Sequence, residues 1–171
     1  MFEKDYSIKG KHATYMKTLA AKDSGLYERN IDVYMNGAIF GLLFNRCVPR
    51  DTDSSDSTNI LAEVFSNCRS ECVFLYRLVM LLEKQTGLDD KKRVDRAFRD
   101  DADESRADQL KENLELFNGY VRGGIEVMYE RFILGGNVKE EYLEKALDFM
   151  DDFYDEPSGA AIENKIAGLI S

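Results

Sequence analysis

The residues with chemistry to offer fall into a few small groups. Asp148, Asp151, Asp152 and Asp155 recur at steps of three and four, with Glu156 beside them, so on a helix the four aspartates share one face. Paired carboxylates can do general acid–base work or hold magnesium. A run of charge is more commonly a solvated face. Negative charge at a helix C-terminus is also electrostatically unfavourable, which makes docking of a basic partner a further use for this patch. Cys68 and Cys72 lie four apart, and only Cys47 and His12 could complete a soft tetrahedral zinc set with them. Buried reduced thiols are the plainer reading. Asp51, Asp53 and Ser55 resemble the start of a calcium loop, but Asp56 stands where the loop needs glycine and Ala62 where it needs a bidentate acid. His12 is the single histidine and lies in a polar segment without a nucleophile motif, which argues against serine-type triad chemistry. The segment from Tyr120 through Val121, Arg122 and Gly123 to Gly124 could expose main-chain amides to an anion if a helix broke there. No Gly-Lys-Ser/Thr follows to make a phosphate loop. The alternative is that these glycines admit another helix, such as one carrying Gly37 and Gly41.

Those groups depend on helices for their placement. Leu114, Phe117, Val121, Ile125, Met128 and Phe132 mark one face of a helix over 114–134, interrupted by Gly119, Gly123 and Gly124. Each interior glycine costs about 0.5–1 kcal/mol against alanine, so three of them require close backbone approach or a short break. Further helices are expected over 28–45, ending before Pro49, and over 60–67, 68–85, 139–154 and 160–170. A weaker helical signal covers 13–21. The stretch 88–111 is charge-dense and reads as a partly exposed helix followed by a solvated loop near 100–105. The expectation is one all-α domain over 1–171, a compact bundle of six or seven helices, with 1–25 less ordered. A short hairpin near 47–51, after the second helix, is compatible with this pattern.

Composition narrows the function. The chain has 171 residues, 44% hydrophobic and 32% charged, as in a folded protein, and only two prolines. Its net charge of −9 disfavours bulk phosphate-backbone binding. No apolar run reaches the ~20 residues of a membrane helix, and three cysteines form no even disulfide framework, so a reducing cytoplasm is expected.

Two segments carry a resemblance. Residues 31–49 run from an aspartate-started apolar helix into Arg46-Cys47-Val48-Pro49. Residues 116–130 read Phe117-x-x-Tyr120-x-x-Gly123-Gly124-hydrophobic-Glu126. Together they resemble small helical accessory proteins encoded beside bacterial DNA phosphorothioation (Dnd-type) modification and restriction genes. The resemblance implies a non-catalytic part in anti-phage defence. It extends to Arg46, Pro49, Tyr120, Gly123, Gly124 and Glu126 and no further.

The sequence reading is therefore a cytoplasmic, non-enzymatic interaction or regulatory subunit of a larger bacterial assembly. It needs no cofactor or metal and binds a protein partner, with homo-oligomerisation compatible and nucleic acid not expected as a direct ligand. The partner-binding candidates are Arg46, Tyr120, Arg122, Gly123, Gly124, Glu126, Asp148, Asp151, Asp152 and Asp155. The alternatives are a metal-dependent hydrolase built on the C-terminal carboxylates and a nucleic-acid-binding regulator using Lys91, Lys92, Arg93, Arg96 and Arg99.

Overall fold

The computed structural model describes residues 1–22 and 25–155, with the backbone alone at 154–155. Among these residues the chain runs β1 (Tyr6–Lys9), α1 (Lys11–Leu19), α2 (Asn30–Leu43), β2 (Ser57–Ile60), α3 (Ala62–Asn67), α4 (Arg69–Leu82), α5 (Asp90–Phe98), α6 (Ala107–Met128) and α7 (Lys139–Asp155). This is the expected all-α bundle of seven helices, with one small antiparallel sheet in which Tyr6 faces Ile60 and Lys9 faces Ser57. No helix among the described residues is long and apolar enough to cross a membrane.

The central element is α6. Its residues from Phe117 to Met128 are all buried, so it is enclosed on every side rather than along one stripe, with Asn118, Arg122 and Glu126 as buried polar members. The glycines do not break it. A Cβ on Gly124 would lie 1.8 Å from the Gly37 carbonyl oxygen, and one on Gly41 would lie 1.9 Å from that of Tyr120. The backbones of α2 and α6 therefore touch, and the glycines on both helices are what permits it. The regular α-helix yields only after Met128, where Tyr129–Ile133 widens into a π turn closed by Leu134 N–H donating to Tyr129 O at 2.9 Å. An aromatic group fills the space beside the seam: Tyr34 packs edge-on against Phe65 at 5.3 Å and Phe117 at 6.0 Å, and Tyr76 against Phe117 at 5.8 Å.

Within the segment expected to be less ordered, 1–25, the described residues supply β1 and α1, and α1 buries His12, Ala13, Met16 and Leu19. Three expectations need correction. The strands do not form a local hairpin near 47–51; that segment lies against α6, and β2 instead pairs with the distant β1. The helix expected to start at Ile60 starts at Ala62, since Thr58 and Asn59 belong to β2; the Ala62 N–H is capped by the Asp5 carboxylate at 2.7 Å, from 57 residues away. The turn after α5 is not simply solvated. Asp100 is buried there and accepts from Arg106 Nη1 and Asn113 Nδ2, each at 2.9 Å. The helix expected over 160–170 lies outside the described residues.

Candidate functional site

The residues singled out by the sequence separate into two places. Arg46, Tyr120, Arg122, Gly123, Gly124 and Glu126 gather where α2 leaves α6. The C-terminal aspartates stand on α7.

At the first place the chain leaves α2 through Asn45, which takes a left-handed backbone (φ 48°), and turns back along α6. Val48 N–H donates to Gly119 O at 3.0 Å, and a Cβ on Gly123 would lie 1.9 Å from the Arg46 carbonyl oxygen. Gly123 is thus absent of side chain so that this strap can lie flat. Arg122, almost fully buried, holds the strap from the other side: its Nε donates to Val48 O at 3.0 Å, Nη1 to the Tyr6 hydroxyl at 3.2 Å and Nη2 to Glu115 at 2.9 Å. Glu115 also receives Arg50 at 2.6 Å. Tyr120 is fully buried, and burial followed by the nearby Glu83 charge pushes its hydroxyl well above the ordinary tyrosine range. Tyr120, Arg122, Gly123 and Gly124 are all buried within the chain.

Glu126 is the electrostatic centre of this region. Its side chain is only 4% exposed, yet it meets Lys11 Nζ at 2.9 Å, His12 Nε2 at 2.9 Å and Arg46 Nη2 at 2.5 Å. Arg46 also grips Glu130, in the π turn, through both terminal nitrogens at 2.6 and 2.8 Å. Lys11 and His12 arrive on the first turn of α1. That turn is set by Gly10 in a left-handed conformation (φ 65°) and by the Asp51 carboxylate, which accepts the Lys11 N–H at 2.6 Å. Burial raises the Glu126 carboxyl, but the hydrogen bonds from Lys11 and His12 and the charge of Arg46 together hold it below the usual carboxylate range. Burial pushes the His12 imidazole down more than Glu126 lifts it, so the ring is neutral near pH 7 and its Nε2–H donates. His12 Nδ1 is buried without a hydrogen-bond partner among the described residues. A carboxylate already ionised and met by three donors is a poor general acid, and its lone pairs are committed, so it is a poor general base. The cluster ties α1, the strap and α6 together.

Sequence reading found Arg46 and Glu126, weighed His12 only as a zinc ligand or triad member, and passed over Lys11 and Glu130. The available signal was the four-residue spacing of Arg122, Glu126 and Glu130 on one helix, with no cue to which distant cations they meet. It also missed the buried pair of Glu83 with Arg96, which pins α5 to the end of α4. That pair turns Arg96 inward, away from any nucleic acid, while Lys92 meets Asp89 at 3.4 Å and Arg99 meets Asp95 at 2.7 Å.

At the second place, Asp148, Asp151 and Asp152 are exposed on α7. The side chain of Asp155 and all of Glu156 lie outside the described residues. Among those residues no three His, Cys, Asp or Glu side chains are placed to hold a metal ion, and Cys47, Cys68 and Cys72 are free thiols. Beside the aspartates, Leu143, Leu147 and Met150 are 44%, 59% and 52% exposed. The opposite face of α7 is firmly seated: Phe149 packs against Phe40 and Phe132, each at 5.6 Å, and Arg131 lies over the Phe149 ring at 5.4 Å.

Comparison of the chain with known proteins finds no matching family model, no matching curated protein and no matching solved structure.

Proposed function

We propose that this protein is a non-catalytic docking subunit, and that α7 receives a basic, apolar-faced helical segment of a protein partner. The observation that carries this reading is the composition of the outer face of α7. At about 100° per residue, Leu143, Leu147 and Met150 fall within roughly 60° of arc, and Glu140, Glu144, Asp148 and Asp151 form the adjoining wall. All seven side chains are exposed. Three large apolar side chains in one exposed row are a helix-docking surface in the making, and a one-sided acidic wall selects a basic partner and fixes its orientation. The seating of Phe149 keeps this platform rigid, which lowers the entropic cost of binding. The likeness of 31–49 and 116–130 to phosphorothioation-associated accessory proteins makes a cytoplasmic bacterial defence assembly the context in which to seek that partner.

The test is affinity co-purification at low salt, comparing the wild type with Leu147→Glu and with Asp148→Lys/Asp151→Lys. Both variants should retain the wild-type melting temperature and lose the same partner, and raising the salt should release it. A partner that stays bound to both variants overturns the assignment of α7.

A further inference from the structure

We infer that the segment received by α7 is α5 of a second copy of this chain, so that the protein associates head to tail with itself. The inference rests on the reading of α7 as a docking surface and names its occupant. A second group of exposed apolar side chains lies on α4 and α5, where Phe74, Val94 and Phe98 are 64%, 44% and 46% exposed. Phe74 and Phe98 line a groove of about 380 Å³ between the two helices, together with Val73, Arg77 and Leu78. Exposed apolar side chains gathered in this way mark an interaction surface. The groove carries positive charge as well. The Arg77 guanidinium lies over the Phe98 ring at 5.1 Å and meets Asp101 only at 3.6 Å. Lys91, Val94 and Phe98 follow one another at steps of three and four, so they share the outer face of α5. Asp89 is taken by Lys92 at 3.4 Å and Asp95 by Arg99 at 2.7 Å, which leaves the exposed Lys91 without an ion pair among the described residues.

The two surfaces complement each other. On α7, Leu143, Leu147 and Met150 stand beside Glu140, Glu144, Asp148 and Asp151, and the helix carries seven carboxylates against two lysines. On α5, Lys91, Lys92, Arg93 and Arg96 outnumber Asp90 and Asp95, even after Arg96 is spent on the buried Glu83. Helix α1 is also net basic, but its Lys11 and Lys17 are engaged within the chain by Glu126 and Asp56. An apolar row with an acidic wall selects an apolar row with a basic flank. The two do not meet within one molecule. Phe149 seats α7 on Phe40 and Phe132, the Glu83–Arg96 pair seats α5 on α4, and both outer faces stay exposed. Each copy therefore presents one surface of each kind, and copies join through unlike faces.

The test is sedimentation equilibrium of the purified full-length chain at low salt, up to about 100 μM, because one helix-on-helix contact is smaller than a standard interface and binds weakly. The average mass of the wild type should rise above that of the monomer with concentration and fall back as salt is added. Phe74→Glu and Leu147→Glu change side chains that are mostly exposed, so both should melt like the wild type, and each should weaken self-association by roughly tenfold or more. Mixed in equal amounts, the two variants should form a one-to-one dimer and nothing larger, since each keeps the surface that the other has lost. Lys91→Glu and Asp148→Lys, at exposed charged positions, repeat the mixing test should either apolar site prove sensitive. A wild type that stays monomeric, a variant that self-associates as the wild type does, or a mixture that remains monomeric would each overturn the inference. A monomeric wild type whose α7 variants still lose a different protein on co-purification removes the second copy and leaves the reading of α7 standing. Undiminished self-association by Leu147→Glu, together with undiminished co-purification, removes both.

Discussion

Replacing Gly124 by alanine sets two opposing effects against each other, and the structure decides between them. In a helix interior the change should stabilise by about 1 kcal/mol through propensity alone. At this position the new Cβ would lie 1.8 Å from the Gly37 carbonyl oxygen and 2.6 Å from the Gly41 nitrogen. Both are backbone atoms of α2, with no rotamer to change. Restoring ordinary contact requires α2 and α6 to separate by roughly 1–1.5 Å, which forfeits about half or more of the dispersion energy of contacts along the seam. Overpacking of a close-packed interior costs about 1–3 kcal/mol and sometimes more. The upper part of that range applies, because the obstruction is backbone, so a net loss of about 2 kcal/mol remains after the propensity gain. Gly123→Ala, against the Arg46 carbonyl oxygen at 1.9 Å, should behave alike. Gly119→Ala should be close to neutral, since its nearest neighbour is the Cys47 sulfur at 2.5 Å, the tip of a side chain that can rotate away. Thermal unfolding followed by circular dichroism measures all three, with each 1 kcal/mol lowering the melting temperature by about 2–4 °C. If Gly124→Ala is as stable as the wild type, or no worse than Gly119→Ala, backbone contact is not what selects these glycines.

Two other perturbations probe the buried charges. The Glu126 and Glu83 carboxyls are held below their ordinary range in the folded protein, so the folded state binds fewer protons than the unfolded chain in acid. Their stabilisation is therefore present above about pH 4.5, the ordinary glutamate value, and is lost as pH falls further; Glu126→Gln should lower stability by about 1–3 kcal/mol at pH 7 and flatten urea midpoints measured between pH 3 and 7, whereas an unchanged slope refutes the role given to Glu126. Arg96→Met leaves Glu83 buried without its cation and should cost about 3–5 kcal/mol, much of it regained in the double variant Arg96→Met/Glu83→Leu; a calorimetric scan of the single and double variants that shows no recovery removes the unpaired carboxylate as the cause.

Periodicity alone determined the helices of this protein. The three- and four-residue spacing of apolar side chains on α2, α4, α6 and α7 is a local property, and it outweighed the three glycines within α6 because burial on all sides supplies more than their propensity takes away. The pairing of the Gly37 and Gly41 helix with the Gly123–Gly124 helix was legible for the same reason, as small residues four apart mark where backbones approach. What tertiary structure decided was every partner distant in sequence. Four-residue strands carry little signal, and β1 exists only because β2 lies beside it. His12 reads as a polar-segment histidine until α1 folds onto α6 and places it 114 residues from its partner Glu126. Arg122 stood among the partner-binding candidates and is a buried clamp on the strap, while Asp148, Asp151 and Asp152, on an equally charged helix, remain in water. Charge pattern names the groups that can pair. Which of them leave solvent depends on three-dimensional packing, because a carboxylate or guanidinium is tolerated inside only where the fold brings its counter-charge within hydrogen-bonding distance.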